Sequence, residues 1–78
     1  MEPNIKEVAG RIRALREDMD LTLQEMAEAT GRSTAEYAAQ ESGEEDLSFT
    51  FLYKCAEKFG VDVIELLTGE NPHLTGYS

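Results

Sequence analysis

The chain has no tryptophan, one cysteine, two prolines and only seven basic residues against 16 acidic ones. Each scarcity excludes something. A lone cysteine, Cys55, cannot close a disulfide within the chain, so stability must come from packing alone. No apolar run approaches the ~18 residues of a membrane-spanning helix, and the amino terminus lacks the basic-then-apolar layout of a secretory signal. The single histidine, His73, has no second His or Cys at ligand spacing, so no metal is expected. No nucleophile stands near a base in any known pattern, which argues against an enzyme and against a cofactor. The net charge of −9 disfavours, on electrostatics alone, polyanionic partners such as nucleic acid or an anionic membrane. These absences together predict an acidic, soluble, cytoplasmic chain.

What is present is helical. A length of 78 residues, 41% of them hydrophobic, supports one small core, most cheaply built from short helices with tight connections. Ile5, Val8, Ile12, Leu15 and Met19 recur in steps of three and four, which predicts a first helix opened by a capping box of Asn4 and Glu7. Arg11, Arg13 and Arg16 lie mostly off that stripe. Thr22 with Glu25 opens a second helix that buries Leu23, Met26 and Ala27 and ends at Gly31. Ser33 with Glu36 repeats the device for a third helix, running to Glu41 and stopping at Gly43. Ser48 caps a fourth, expected to bury Phe49, Leu52, Cys55, Ala56 and Phe59, the cysteine as a small hydrophobe. Asp62, with Glu65 three residues on, opens a short fifth that ends at Gly69. The expected fold is all-α, a compact five-helix bundle over residues 1–69. Residues 70–78, "ENPHLTGYS", have no periodicity and read as a linker or tail.

The most informative segment is "LQEMAEATGRSTAEYAAQESG", residues 23–43. Ala27 is small where the third helix must cross close, Gly31 supplies the left-handed turn, and Tyr37 packs the third helix back on the core. That is helix-turn-helix logic, in which the second helix of the pair enters the major groove of DNA.

Three blocks, "GRIRALREDMDLTLQEMAEATGRS", "ESG" and "LYKCAEKFGVDVIELL", resemble in order the Cro/repressor-type, XRE-like helix-turn-helix family. The resemblance implies a lambda-repressor-like DNA-binding domain of a bacterial-type transcription regulator, with double-stranded operator DNA as partner. It further implies a homodimer in the full-length protein, and a small-molecule effector acting through a second, C-terminal domain such as a cupin-like barrel. Carried over by position, it puts phosphate contacts at Leu23 and Gln24 and in the loop after the third helix. Base-reading positions fall on Ser33, Thr34, Ala35, Glu36 and Ala39.

The departures sit in this same region. Arg32 replaces a small apolar residue, and Gln40 stands where the family commonly has Ile or Trp. Glu44, Glu45 and Asp46 occupy a loop that usually carries Lys or Arg, and no basic residue lies between Ser33 and Tyr53. A carboxylate roughly 8 Å from a phosphate costs on the order of 0.5 kcal/mol before screening. Glu36, Glu41, Glu44, Glu45 and Asp46 together would cost about 1–2.5 kcal/mol on that scale, against roughly 4–10 kcal/mol for specific recognition.

Arg32 is the cation expected to touch phosphate or guanine, with Glu28 or Glu36 as its intramolecular alternatives. Arg11 and Arg13 can reach backbone from the first helix, or be held by nearby acids. Gln40 can pair with adenine if it faces outward. Two readings stay open: a sequence-specific DNA-binding domain, or a helix-turn-helix fold without DNA binding that serves as an acidic protein-interaction module. The position of the basic residues discriminates between them. One patch of Arg11, Arg13, Arg32 and Lys54 beside the third helix favours DNA; dispersal into ion pairs favours the module.

Overall fold

The computed structural model describes residues 4–69; the tail expected over 70–78, with His73, lies outside them. The described residues form α1 (Ile5–Asp18), α2 (Leu23–Thr30), α3 (Thr34–Glu41), α4 (Phe49–Phe59) and α5 (Val63–Thr68), with no strand among them. None of these helices is long and apolar enough to cross a membrane.

Side-chain caps fix most of the helix starts, because each satisfies amide groups that have no partner inside the helix. Thr22 and Glu25 form a reciprocal capping box at α2, and Ser33 and Glu36 do the same at α3. Ser48 Oγ accepts from the Phe51 amide at 3.1 Å to start α4. Two expected caps are incomplete. Asn4 accepts from the Lys6 and Glu7 amides, but the Glu7 carboxylate lies 3.9 Å from Arg11 and does not close the box. Asp62 makes no side-chain cap bond at all; its carbonyl accepts from the Glu65 amide instead. At its far end α3 stops at Glu41, with Ser42 as its C-cap and Gly43 following at φ +84°.

The core joins α1 through Val8 and Ile12, α2 through Met26 and Ala27, α3 through Tyr37, α4 through Phe51, Leu52, Cys55, Ala56 and Phe59, and α5 through Leu66. The phase of α4 differs from expectation. Phe49, assigned to the core, is 63% exposed, and Phe51 takes the buried place at 1%. Apolar residues at 49, 51, 52, 53, 55, 56 and 59 satisfy two helical phases, and the tie is broken by the Phe51 ring meeting Tyr37 at 5.8 Å between centroids. Ile5 and Met19 are likewise exposed, because α1 extends past the core at both ends.

Two arginines of α1 tie the bundle together. Arg16 grips Glu41 through two parallel bonds of 2.8 and 3.1 Å, and its third nitrogen donates to the Leu21 carbonyl at 2.9 Å. This fork-on-carboxylate geometry fastens the end of α3 to α1. Arg11 donates to the carbonyls of Leu66 and Leu67 at 2.9 and 3.0 Å, where the last turn of α5 leaves oxygens unpaired and its dipole is negative.

Candidate functional site

The turn between α2 and α3 is built at Gly31, whose backbone is left-handed at φ 71° and ψ 31°. The Arg32 amide then bonds back to the Ala27 carbonyl at 2.9 Å, ending α2 cleanly. The buried Thr30 hydroxyl donates to the Met26 and Ala27 carbonyls and seals the same end. Ala27, 2% exposed, lets α3 cross closely, and Tyr37 of α3 is fully buried beneath the crossing. Burial first, and the adjoining Glu41 carboxylate second, push the Tyr37 phenol far above its ordinary range, although its hydroxyl makes no well-formed hydrogen bond there.

Past the turn, α3 presents Ser33, Thr34, Ala35 and Glu36 to solvent, while Ala39 is half-buried. Glu36 accepts from the Ser33 amide at 2.9 Å while its own amide donates to Ser33 Oγ at 3.1 Å. The backbone bond, then the Ser33 hydroxyl, hold the Glu36 carboxyl below its usual range, so the group is ionised at neutral pH and engaged in the cap. Gln24 is exposed in the first turn of α2, and Leu23 is half-buried, packed against the core.

Two residues credited with outward roles point inward. Gln40 is 6% exposed and donates to the Asp46 carbonyl at 3.4 Å, anchoring the acidic loop rather than facing a base. Glu41 is 7% exposed and held by Arg16, so it drops out of the set of carboxylates that would face a phosphate. For Glu41 the physical reason is long-range, since its charge is buried only because Arg16 arrives from another helix, 25 residues away; for Gln40 it is the loop that folds back to bring the Asp46 carbonyl to it.

The basic residues divide. Arg11 is half-buried on α5, and Arg13 is paired with Glu17 at 3.3 Å. Arg32 is exposed, with its guanidinium 6.0 Å from the Phe51 ring centroid, and among the described residues it makes no ion pair within 4.0 Å. The Lys54 ammonium lies 3.8 Å from where a Cβ on Gly31 would stand. Arg32 and Lys54 therefore flank the turn, while Arg11 and Arg13 belong elsewhere. Lys6 packs on Gly43, at the start of the acidic loop.

Sequence reasoning missed an exposed aromatic pair. Phe49 and Tyr53, 63% and 57% exposed, stack on the outer side of α4 with centroids 6.3 Å apart. The doubled apolar phase of α4 was the available signal. Among the described residues no group of acids, His and Cys can hold a metal ion. Cys55 is buried, and burial with help from Glu41 pushes its thiol up to about 12, which makes it inert at neutral pH.

Comparison with known proteins adds a family. Residues 9–72 match the model of the helix-turn-helix domain family. No curated protein sequence matches at a significant level. Among solved structures, the clp gene regulator ClgR from C. glutamicum is 30% identical over 85% of this chain and 87% of that one, with a TM-score of 0.74. The BldD DNA-binding domain from S. venezulae is 26% identical over 82% of this chain and 96% of that one, with a TM-score of 0.69. An HTH_3 family transcriptional regulator from Vibrio cholerae is 25% identical over 91% of this chain and 39% of that longer one, with a TM-score of 0.73.

Proposed function

We propose, from the premise that this chain belongs to the helix-turn-helix domain family, that it binds double-stranded DNA as a transcription regulator with α3 in the major groove. The observation that carries this reading is the start of α3, small and open to solvent, set beside an exposed Arg32 that makes no ion pair within 4.0 Å among the described residues, although Glu36 stands near enough to feel its charge. Ser33 and Thr34 donate or accept at base edges, and the Thr34 and Ala35 methyls suit a thymine methyl. The Glu36 oxygen not used by the cap can accept from cytosine N4, and Ala39 lets the groove wall approach closely. Arg32 takes phosphate or guanine. Gln24, with the amides of the α2 amino end, suits a backbone phosphate. Arg13 has an exposed guanidinium available to backbone, whereas Arg11 is assigned to the scaffold. The roles of the similar structures, a gene regulator, a DNA-binding domain and a transcriptional regulator, support the same reading.

With Glu41 withdrawn, the acids left to oppose DNA are Glu36, Glu44, Glu45 and Asp46, at a cost of about 1–2 kcal/mol. That is below what specific recognition supplies, yet enough to weaken non-specific phosphate attraction by roughly five- to thirtyfold. The acidic loop thus acts as a brake on stray binding, and the regulator works as an assembled homodimer, with an effector acting through a domain beyond residue 69.

The exposed carboxylates of Glu44, Glu45 and Asp46 also favour a second reading, a module that docks a basic protein. Titration of the chain with DNA from upstream of its own gene, at roughly 50 and 200 mM salt, separates the two. Binding that weakens with salt and with Arg32→Ala supports the regulator. No binding at the lower salt sinks it and leaves the module.

A further inference from the structure

We infer that Lys54 of α4 and Arg32 of the turn hold one DNA backbone phosphate between them, at the rim of the groove that α3 enters. The inference rests on the regulator reading and deepens it by assigning to DNA contact a residue, Lys54, that lies outside the helix-turn-helix itself.

The fold brings the two cations together. The Lys54 ammonium lies 3.8 Å from where a Cβ on Gly31 would stand, and Arg32 is the next residue along. The Arg32 guanidinium lies 6.0 Å from the ring centroid of Phe51, which precedes Lys54 by one turn of α4. Both head groups therefore stand at the seam between the turn and α4, and both residues are exposed.

Nothing within the fold accounts for the pairing. Like charges repel, and the chain has 16 acids with which to neutralise its seven bases. On α1 the acids do so: Glu7 lies by Arg11, Glu17 by Arg13 and Glu41 by Arg16. Arg32 and Lys54 make no ion pair within 4.0 Å among the described residues, and Glu36, which feels Arg32, is engaged in the cap of α3. Nor does Lys54 serve to close α2. The Ala27 and Glu28 carbonyls accept from the Arg32 and Gly31 amides, and the Met26 carbonyl accepts from the Thr30 hydroxyl, all without the ammonium.

Position and charge select a phosphate as the ligand. The turn directly precedes the solvent-open start of α3, so a group held there lies at the groove edge, where the strand's phosphates run. A lysine head is a compact charge on a flexible stem, which suits a phosphate oxygen, and the Arg32 fork can meet two more. The site also replaces one that is missing. The loop after α3, where the family resemblance puts phosphate contacts, carries Glu44, Glu45 and Asp46 in this chain. Attraction for the backbone has moved from that loop to the turn. The chain is thus anchored at the amino end of α3 and repelled at the carboxyl end, which sets the register of the helix in the groove from one side.

The test is titration of the full chain with two duplexes at roughly 50 to 200 mM salt: DNA from upstream of its own gene, and a shuffled duplex of the same length and composition. Lys54→Ala should weaken binding to both by about three- to tenfold, because a phosphate contact carries no sequence information. Lys54→Arg, which keeps the charge, should recover most of that loss. Arg32→Ala with Lys54→Ala should lower the slope of log affinity against log salt by about 0.9 for each copy bound, the value for one phosphate. Circular dichroism should stay unchanged, since both residues are exposed. Affinity indifferent to Lys54→Ala, a loss confined to one duplex, or a loss with the salt slope of the double variant unmoved overturns this proposal and leaves the regulator reading standing. An unaltered chain that binds neither duplex overturns both.

Discussion

At the start of α3, Glu36 is exposed and its carboxylate accepts from the Ser33 amide at 2.9 Å; at the end, Glu41 is 7% exposed and gripped by Arg16 at 2.8 Å. The two residues are chemically identical and stand five positions apart in one helix. Glu36 serves local structure, closing a cap that any isolated helix could form. Glu41 serves the tertiary fold, since its charge is tolerable only because α1 delivers a guanidinium to it. One end of α3 is thus left free for contact and the other is immobilised. A helix meant to present its first turn to a partner benefits from that asymmetry, because the fixed end sets the angle at which the free end projects.

Breaking the fixed end should cost most. Arg16→Met leaves Glu41 buried without a counter-charge and is expected to destabilise the chain by about 3–5 kcal/mol in urea unfolding. Glu41→Gln, which keeps the shape and removes the buried charge, should cost clearly less; equal losses would show that charge burial is not what makes the pair essential. The free end is cheaper to damage. Ser33→Ala removes the cap acceptor and should cost about 0.5–2 kcal/mol, with weaker DNA binding as the first turn of α3 frays. The two capping boxes also carry a pH signature. Hydrogen bonds from Thr22 and Ser33 lower the Glu25 and Glu36 carboxyls from their ordinary 4.5. The unfolded chain therefore binds protons first, so their contribution is complete above that value and fades as pH falls through the lowered ones. Carboxyl titration by NMR should find both below 4.5; values at or above it would remove the cap argument. The smallest effect on stability belongs to the loop. Glu44→Lys with Glu45→Lys should move stability by no more than about 0.5 kcal/mol, as surface changes do. DNA affinity should nevertheless rise roughly three- to tenfold at low salt, since each swap turns a repulsion into an attraction.

The same contrast explains what the sequence made legible. The capping boxes at Thr22–Glu25 and Ser33–Glu36, the Ser48 cap and the sharp stops at Gly31 and Gly69 are all local, decided within four residues, and each stands where the sequence pattern placed it. Asp62 stands at the expected start of α5, yet its side chain makes no cap bond and only its carbonyl serves, accepting from the Glu65 amide. The burial of Gln40 and Glu41 was not legible, because it depends on Asp46 backbone and on Arg16, groups that spacing along α3 does not reveal. Nor was the choice between Phe49 and Phe51, which rests on where the Tyr37 ring lies. For the candidate site, the turn and the solvent-facing start of α3 followed from sequence, but the separation of Arg32 and Lys54 from Arg11 and Arg13 did not.

The tie from Arg11 to α5 has a consequence for how this fold tolerates mutation. Its two acceptors are main-chain oxygens of Leu66 and Leu67, which every amino acid possesses. The closing helix can therefore drift in composition, within the limits that packing sets, and still be held in place. The arginine has less latitude, since its Nη1 meets both carbonyls while the rest of the planar guanidinium lies close over Gly69, a fit that a lysine's shorter, unbranched head does not reproduce. Variation along α5 and invariance at position 11 are the pattern that a library of random substitutions, selected only for folding, should return.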